Sequence, residues 1–293
     1  VLVAGGMGLA PTIVSMTGEI TYRGPDASSG GRFHHDVRML DSGDILALAE
    51  ADNTQADKTW TGFLIELRQA GSGTLTGEWT SQPAVDAGQL LPPLGDAVVD
   101  PYHANAVTHV SDEDGEAFLL SLSGTDQLAR LNAETGELDW LLGADGDFTM
   151  VDSEGNPVPG GWFAGQHGPH WDLPLVTLYD NRGLGQQSRA LQLRLDTDAM
   201  TAEIVWQWSE EGWYETVWGD TDVLPGGNVL IGRGHCSFCP TADISLPTEV
   251  TEVDPKTDAV VWALEFPTRE DGLYRAERLD GCAVFANAAY CAE

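Results

Sequence analysis

A hairpin that ends on an aromatic residue recurs through this chain, and no other feature restricts its fold as tightly. It is written as TIVSMTGEITY, LARLNAETGELDW, LQLRLDTDAMTAEIVW and VTEVDPKTDAVVW, with a looser copy, FLIELRQAGSGTLTGEW. The copies end at Tyr22, Trp79, Trp140, Trp206 and Trp262, at steps of 57, 61, 66 and 56 residues. In LQLRL, Leu191, Leu193 and Leu195 alternate with Gln192 and Arg194, the period of two expected of a strand with one packed face. The turns are rich in Asp, Thr, Gly and Pro, as hairpin turns require. A second unit lies between the copies. VRMLDSGDILAL and TDVLPGGNVLIG align without gaps, Gly43 over Gly227 and Ile45-Leu46 over Val229-Leu230, and each reads strand, tight turn, strand. Two hairpins per repeat make four strands per repeat, which predicts an all-β β-propeller built of four-stranded blades. Helical signals are absent. Five repeats are visible, and six blades are expected if the two ends of the chain combine to close a ring. The whole of 1–293 is read as one domain.

At 293 residues such a domain buries roughly three quarters of its unfolded surface, so no metal or disulfide is needed to hold a core. The 46 acidic and 14 basic residues give a formal charge of -32, which argues against nucleic acid or an anionic membrane as partner. Lys58 and Lys256 are the two lysines. No run of eighteen apolar residues is present, so no membrane-spanning helix is expected. The opening VLVAGGMGLA has no initiator Met and no basic flank, and is expected to follow the loss of a leader. Four cysteines, Cys236, Cys239, Cys282 and Cys291, fit two disulfides formed in an oxidising compartment. Zinc fits less well, because only the first pair has ligand spacing.

Histidines recur as regularly as the hairpins. His35 in RFHHDVRML, His103 in DPYHANAVTH and His167 in FAGQHGPHWD each stand just ahead of an alternating apolar stretch, at steps of 68 and 64. The first strand of a propeller blade lines the central channel, so these three are expected to converge at one mouth. A single such histidine could equally bond a neighbouring blade's backbone.

The ordered segments DPYHANAVTH, LLSLSGTDQLARLNAETGELDWLLG, GQHGPHWDLPLVTLYDNRG, SRALQLRLDTDAMTAEIVWQW and GDTDVLPGGNVLIG together resemble the bacterial arylsulfate sulfotransferases, over about residues 30 to 265. The resemblance implies a six-bladed propeller, periplasmic or secreted, that moves a sulfuryl group from an aryl sulfate to a phenol without a nucleotide or other cofactor. It implies catalytic roles for His103 and His167, a sulfate-holding role for Arg182 after Asn181, and substrate contacts from His35 and Asn105. The nucleophile is expected in the following blade, where His235 in GRGHCSFC is the histidine present. Arg182 follows Asn181 directly, whereas the family has a longer Gly-containing loop there, so Arg189 and Arg233 are alternatives. His170 is a rival for the position of His167. From the resemblance, the domain that precedes the propeller in some members and is associated with dimer formation is expected to be missing, which leaves the oligomeric state open.

The chemistry is consistent with those residue types. An aryl sulfate carries an anion that repels nucleophiles, and an imidazole can attack sulfur and leave again. A guanidinium matches an array of oxygens, and the other histidines can move a proton to or from the phenol. Trp162, Phe163, Trp171 and Trp213 could stack an aryl ring or belong to the core. Two other readings share this pattern: a propeller that only binds a ligand or partner, and a metal-dependent hydrolase or lyase with histidine ligands. Thiol titration of the denatured, unreduced chain is expected to find no free cysteine; four would favour zinc or a reducing compartment.

Overall fold

The computed structural model describes residues 2–6, 9–15, 17–27, 32–55, 58–69, 71–91, 100–112, 115–172, 174–182, 186–234, 248–266 and 272–278. They form five sheets in chain order, antiparallel but for one strand of the fourth. The first holds β1 (Leu2–Gly6), β2 (Leu9–Val14) and β3 (Ile20–Arg23), and the second β4 (Phe33–Met39), β5 (Ile45–Gln55), β6 (Lys58–Arg68) and β7 (Leu75–Thr80). The third holds β8 (Ala104–Asp112), β9 (Gly115–Leu122), β10 (Gln127–Asn132) and β11 (Leu138–Gly143). In the fourth, β12 (Thr149–Val151) joins β13 (His167–Asp172), β14 (Leu175–Asp180), β15 (Arg189–Asp196) and β16 (Thr201–Trp208). The fifth comprises β17 (Asp220–Val223), β18 (Val229–Arg233), β19 (Glu249–Asp254) and β20 (Ala259–Glu265).

The two sequence units map onto these sheets. VRMLDSGDILAL supplies β4–β5 and TDVLPGGNVLIG supplies β17–β18, while the aromatic-ended hairpins supply the last two strands of each sheet. Gly43 and Gly227 both have φ near +86°, 85 and 87 respectively, so their alignment reflects a turn that only Gly enters without strain. Two features depart from the expected pattern. β12 adds a fifth strand, parallel to β16, and a five-residue helix, α1 (Gln82–Asp86), follows β7. A helix that short has no 3.6-residue periodicity to read, and Pro83 in its first turn reads in sequence as a turn.

Each core lies between two consecutive sheets, and the strand period of two assigns residues to it. From β5, Leu46 and Leu48 pack toward the third sheet, while Ile45, Ala47 and Ala49 pack toward the first. From β9, Phe118, Leu120 and Leu122 join the core with the second sheet, whereas Ala117 and Leu119 join the core with the fourth. The central strands are covered on both faces and read as continuous apolar runs. The leading strands β4, β8, β13 and β17 lie beside one another in that order, with β1 against β4, which brings the start of each sheet to a common region.

Burying a Leu contributes about 1.5–3 kcal/mol, and truncating it leaves a cavity as well. Leu120→Ala, in the core between the second and third sheets, should therefore lower unfolding free energy by about 2–5 kcal/mol. Leu91→Ala, at a position 72% exposed, should change it by less than about 0.5 kcal/mol. Urea titration followed by tryptophan fluorescence reads both.

Candidate functional site

The leading strands share a defect at their heads. Pairing slips between Phe33 and Val37 in β4, between Ala104 and Ala106 in β8, and between His167 and His170 in β13. Extra residues there bend the strand and re-aim side chains. His35 (φ 61), His103 (φ 42) and Gly168 (φ 48) turn through left-handed conformations at these points. Gly168 has no alternative, because a Cβ would overlap the Asp220 carboxyl group.

The freed side chains cross to the next sheet. The Val107 N–H donates to Asp36 Oδ2 (2.9 Å), Asn105 Nδ2 donates to the Gln166 carbonyl (2.8 Å), and the Trp218 N–H donates to His167 Nε2 (3.2 Å). Asp36 also accepts from Arg38 Nε (3.1 Å) and Arg275 Nη1 (2.5 Å). Residues 272–278 thus reach back to the second sheet, and Tyr274 OH donates to the Asn105 carbonyl at 2.8 Å.

Around Tyr274 the histidines assemble. His35 lies with its ring centroid 4.6 Å from His34, 4.8 Å from His103 and 6.0 Å from Tyr274. The rings of His167 and Trp218 stand 6.1 and 6.4 Å from Tyr274 on its other contacts. His34 Nδ1 and His35 Nδ1 are hydrogen-bonded, so one proton serves both nitrogens. His103 is the exposed member, and its Nδ1–H donates to Asp100 Oδ2 at 2.8 Å.

Hydrogen bonding fixes the His167 tautomer. Asn181 Nδ2 donates to the carbonyls of Glu215 (3.2 Å) and Trp218 (2.9 Å), which leaves Asn181 Oδ1 as an acceptor. His167 Nδ1 faces that oxygen at 2.9 Å and the Gly165 carbonyl at 3.0 Å, so Nδ1 carries the hydrogen and Nε2 the lone pair.

The local environment separates the imidazoles into two kinds. Burial, with the charges of His34, His103 and His167 adding to it, pushes His35 down to about 3. Burial likewise pushes His167 down to about 4, although Asn181 and Gly165 oppose it. The hydrogen bond and charge of Asp100 raise His103 instead. Burial opposes ionisation of Asp36, but Arg38, Arg275 and the Val107 N–H hold it at about 2. At neutral pH the group therefore presents unprotonated His35 and His167 close to a His103 biased toward its charged form.

Of the residues expected from sequence, His35, His103, His167 and Asn105 are brought together here, and His235 and the four cysteines lie outside the described residues. Arg182 follows Asn181, the partner of His167, and its guanidinium faces elsewhere, with Nε 3.3 Å from Asp180 Oδ2 and Nη1 donating to Gln186 at 2.8 Å. Arg189 is committed to Asp180 (2.7 Å), Gln207 and the carbonyls of Gly161 and Trp162, and Arg233 to Glu210 and Glu249. His170 pairs with Asp222 at 3.5 Å. Trp162, Phe163, Trp171 and Trp213 pack in the cores between sheets, and Trp171 stacks on Trp140. Tyr274, whose ring faces His35 and His167, and Trp218, whose ring meets Tyr274 and whose N–H meets His167, are not singled out by sequence, because neither sits in a recurring unit. Among the described residues no three His, Cys, Asp or Glu side chains are disposed to hold a metal ion, and no helix is long and apolar enough to cross a membrane.

The family model described as arylsulfotransferase (ASST) matches residues 5–275. No curated protein sequence matches at a significant level. Solved structures that are similar include a putative 6-phosphogluconolactonase from Bacteroides uniformis (11% identity, 86% of this chain, 62% of that one, TM-score 0.43). Hydrazine synthase from Kuenenia stuttgartiensis is similar at 14% identity, 85% of this chain, 53% of that one and TM-score 0.41. The β-xylosidase RS223 is similar at 11% identity, 84% of this chain, 74% of that one and TM-score 0.38. The chain thus spans less than two thirds of the length of the first two.

Because His35 and His167 stay neutral when folded to about 3 and 4, at these two sites the unfolded chain binds more protons than the folded one from about pH 6.5 downward. Each histidine should therefore lose the protein stability as pH falls through that window. His35→Asn and His167→Asn should each flatten the decline in urea midpoint between about pH 6.5 and 4 relative to the parent.

Proposed function

Because the chain belongs to the arylsulfotransferase family, we propose that it transfers a sulfuryl group from an aryl sulfate to a phenolic acceptor through a sulfohistidine, without a nucleotide cofactor. The observation that carries this reading is the convergence of unprotonated His35 and His167 with the Asp100-paired His103 around Tyr274. In the first half-reaction an imidazole lone pair forms the N–S bond as the S–O bond to the aryl group breaks, and His103 gives the departing phenolate its proton. In the second half-reaction His103 takes the proton of the incoming phenol while that phenol's oxygen displaces the imidazole. Arg182 is proposed to hold sulfuryl oxygens. Arg182 and Arg189 share the single Asp180 carboxyl group, which leaves net positive charge for an anion. His35 and Asn105 are proposed to contact the substrate.

The nucleophile proposed from its place in the chain is His235. His167 is a second reading: its tautomer puts the lone pair on Nε2, which would attack sulfur on parting from the Trp218 N–H that it accepts from. We further propose that the sheets are blades of a six-bladed ring and that the protein works in the periplasm or outside the cell. The sheet-by-sheet stacking of cores supports the first of these.

Rapid mixing with a chromogenic aryl sulfate and no acceptor should give a burst of phenol and one added sulfuryl group by intact mass. Double-reciprocal plots with acceptor present should be parallel. His235→Ala should abolish burst and adduct if it is the nucleophile; an adduct that survives there and vanishes in His167→Ala assigns the role to His167. His103→Ala should slow transfer by roughly a hundredfold or more. No burst and no adduct with any aryl sulfate would favour a propeller that only binds.

A further inference from the structure

Segment 213–219 holds the ring of His167 from two sides. Its Trp218 N–H donates to His167 Nε2 at 3.2 Å, and its Glu215 and Trp218 carbonyls fix the Asn181 amide that accepts from His167 Nδ1. Segment 213–219 is itself tied down at Glu215. The Glu215 N–H donates to Ser188 Oγ at 2.8 Å, and its carboxyl group accepts from Tyr179 OH. Trp213 Nε1 donates to the same Tyr179 OH at 3.0 Å. Gly219 packs so closely on the Tyr179 ring that a Cβ there would overlap it, so Tyr179 and Glu215 together set where Trp218 stands.

From this geometry we infer that Glu215 is a positioning residue of the site, acting on the His167 ring through segment 213–219. It rests on His167 belonging to the proposed transfer site. The groups facing the Glu215 carboxyl are Tyr179 and Trp213, the Gly234 N–H and the Arg233 guanidinium. Arg233 is engaged with Glu210 and Glu249 and lies 5.3 Å over the Trp213 ring, so it has little charge to spare. Burial, the largest influence, pushes Glu215 up to about 8 despite the hydrogen bond from Tyr179 and the Arg233 charge. A carboxylate formed there gains most by moving toward water, which draws the segment and its Trp218 N–H away from His167.

The test follows the His167 ring rather than turnover. In histidine-labelled protein, the His167 imidazole nitrogen resonances, assigned by their loss in His167→Gln, should step near pH 8. The step should disappear in Glu215→Gln, which keeps a neutral group of the same shape. It should move to higher pH in Tyr179→Phe, which removes a hydrogen bond that favours the ionised form. In the same variants the basic limb of the acceptor-free phenol burst should change in parallel. A His167 step that persists unchanged in Glu215→Gln arises from another group and overturns the inference, as does a flat parent titration between pH 7 and 9. If the resonances behave as expected while no aryl sulfate gives a burst, Glu215 still positions His167 and only the transfer reading falls.

Discussion

Three side chains, Asp36, Asn105 and His167, leave the pairing of their own strands and bond to the backbone of the next sheet. On these lateral bonds the arrangement of the site depends. A four-stranded sheet can slide against its neighbour at little cost if only apolar surface joins them, because burial is not directional. Hydrogen bonds between buried groups are directional and costly to leave unmade. They fix the heads of β4, β8 and β13 relative to one another, and the histidines at those heads arrive together as a consequence. The left-handed conformations of His35 and His103 cost about 1–3 kcal/mol each, and the satisfied lateral bonds offset that strain.

The same slips govern the electrostatics. A protein with a formal charge of -32 repels an aryl sulfate from most of its surface. Near the slips stand neutral imidazoles, and three of the nearby carboxyl groups are paired: Asp36 with Arg38 and Arg275, Asp180 with Arg182 and Arg189, Asp100 with His103. Burial keeps His35 and His167 neutral, while Asp100 biases His103 toward its charged form. One cluster therefore holds neutral and charged imidazoles at the same pH, the combination that acid-base assisted transfer requires.

The hairpin repeats were legible in sequence because strand period and turn chemistry are local. Leu191, Leu193 and Leu195 announce β15, and Gly43 and Gly227 announce their turns. The convergence of His35, His103 and His167 was legible because they recur at one position of the repeat. Tyr274 and Trp218 were not, since what brings them to the histidines is a return of the chain over long range: Arg275 to Asp36, and Trp218 to His167. Trp162, Phe163, Trp171 and Trp213 show the opposite limit. An aromatic ring near a motif histidine in sequence can pack away from it, and these four do, lining the cores between sheets.

The account turns on the claim that the cluster of His35, His103, His167 and Tyr274 receives the substrate. A crystal structure with a non-transferable aryl sulfonate bound tests this most directly. The account predicts the sulfonate within hydrogen-bonding distance of His103 and of His35 or His167, with its ring against Tyr274 or Trp218. Density for the sulfonate at a site that touches none of these histidines, with the cluster unchanged, would contradict it.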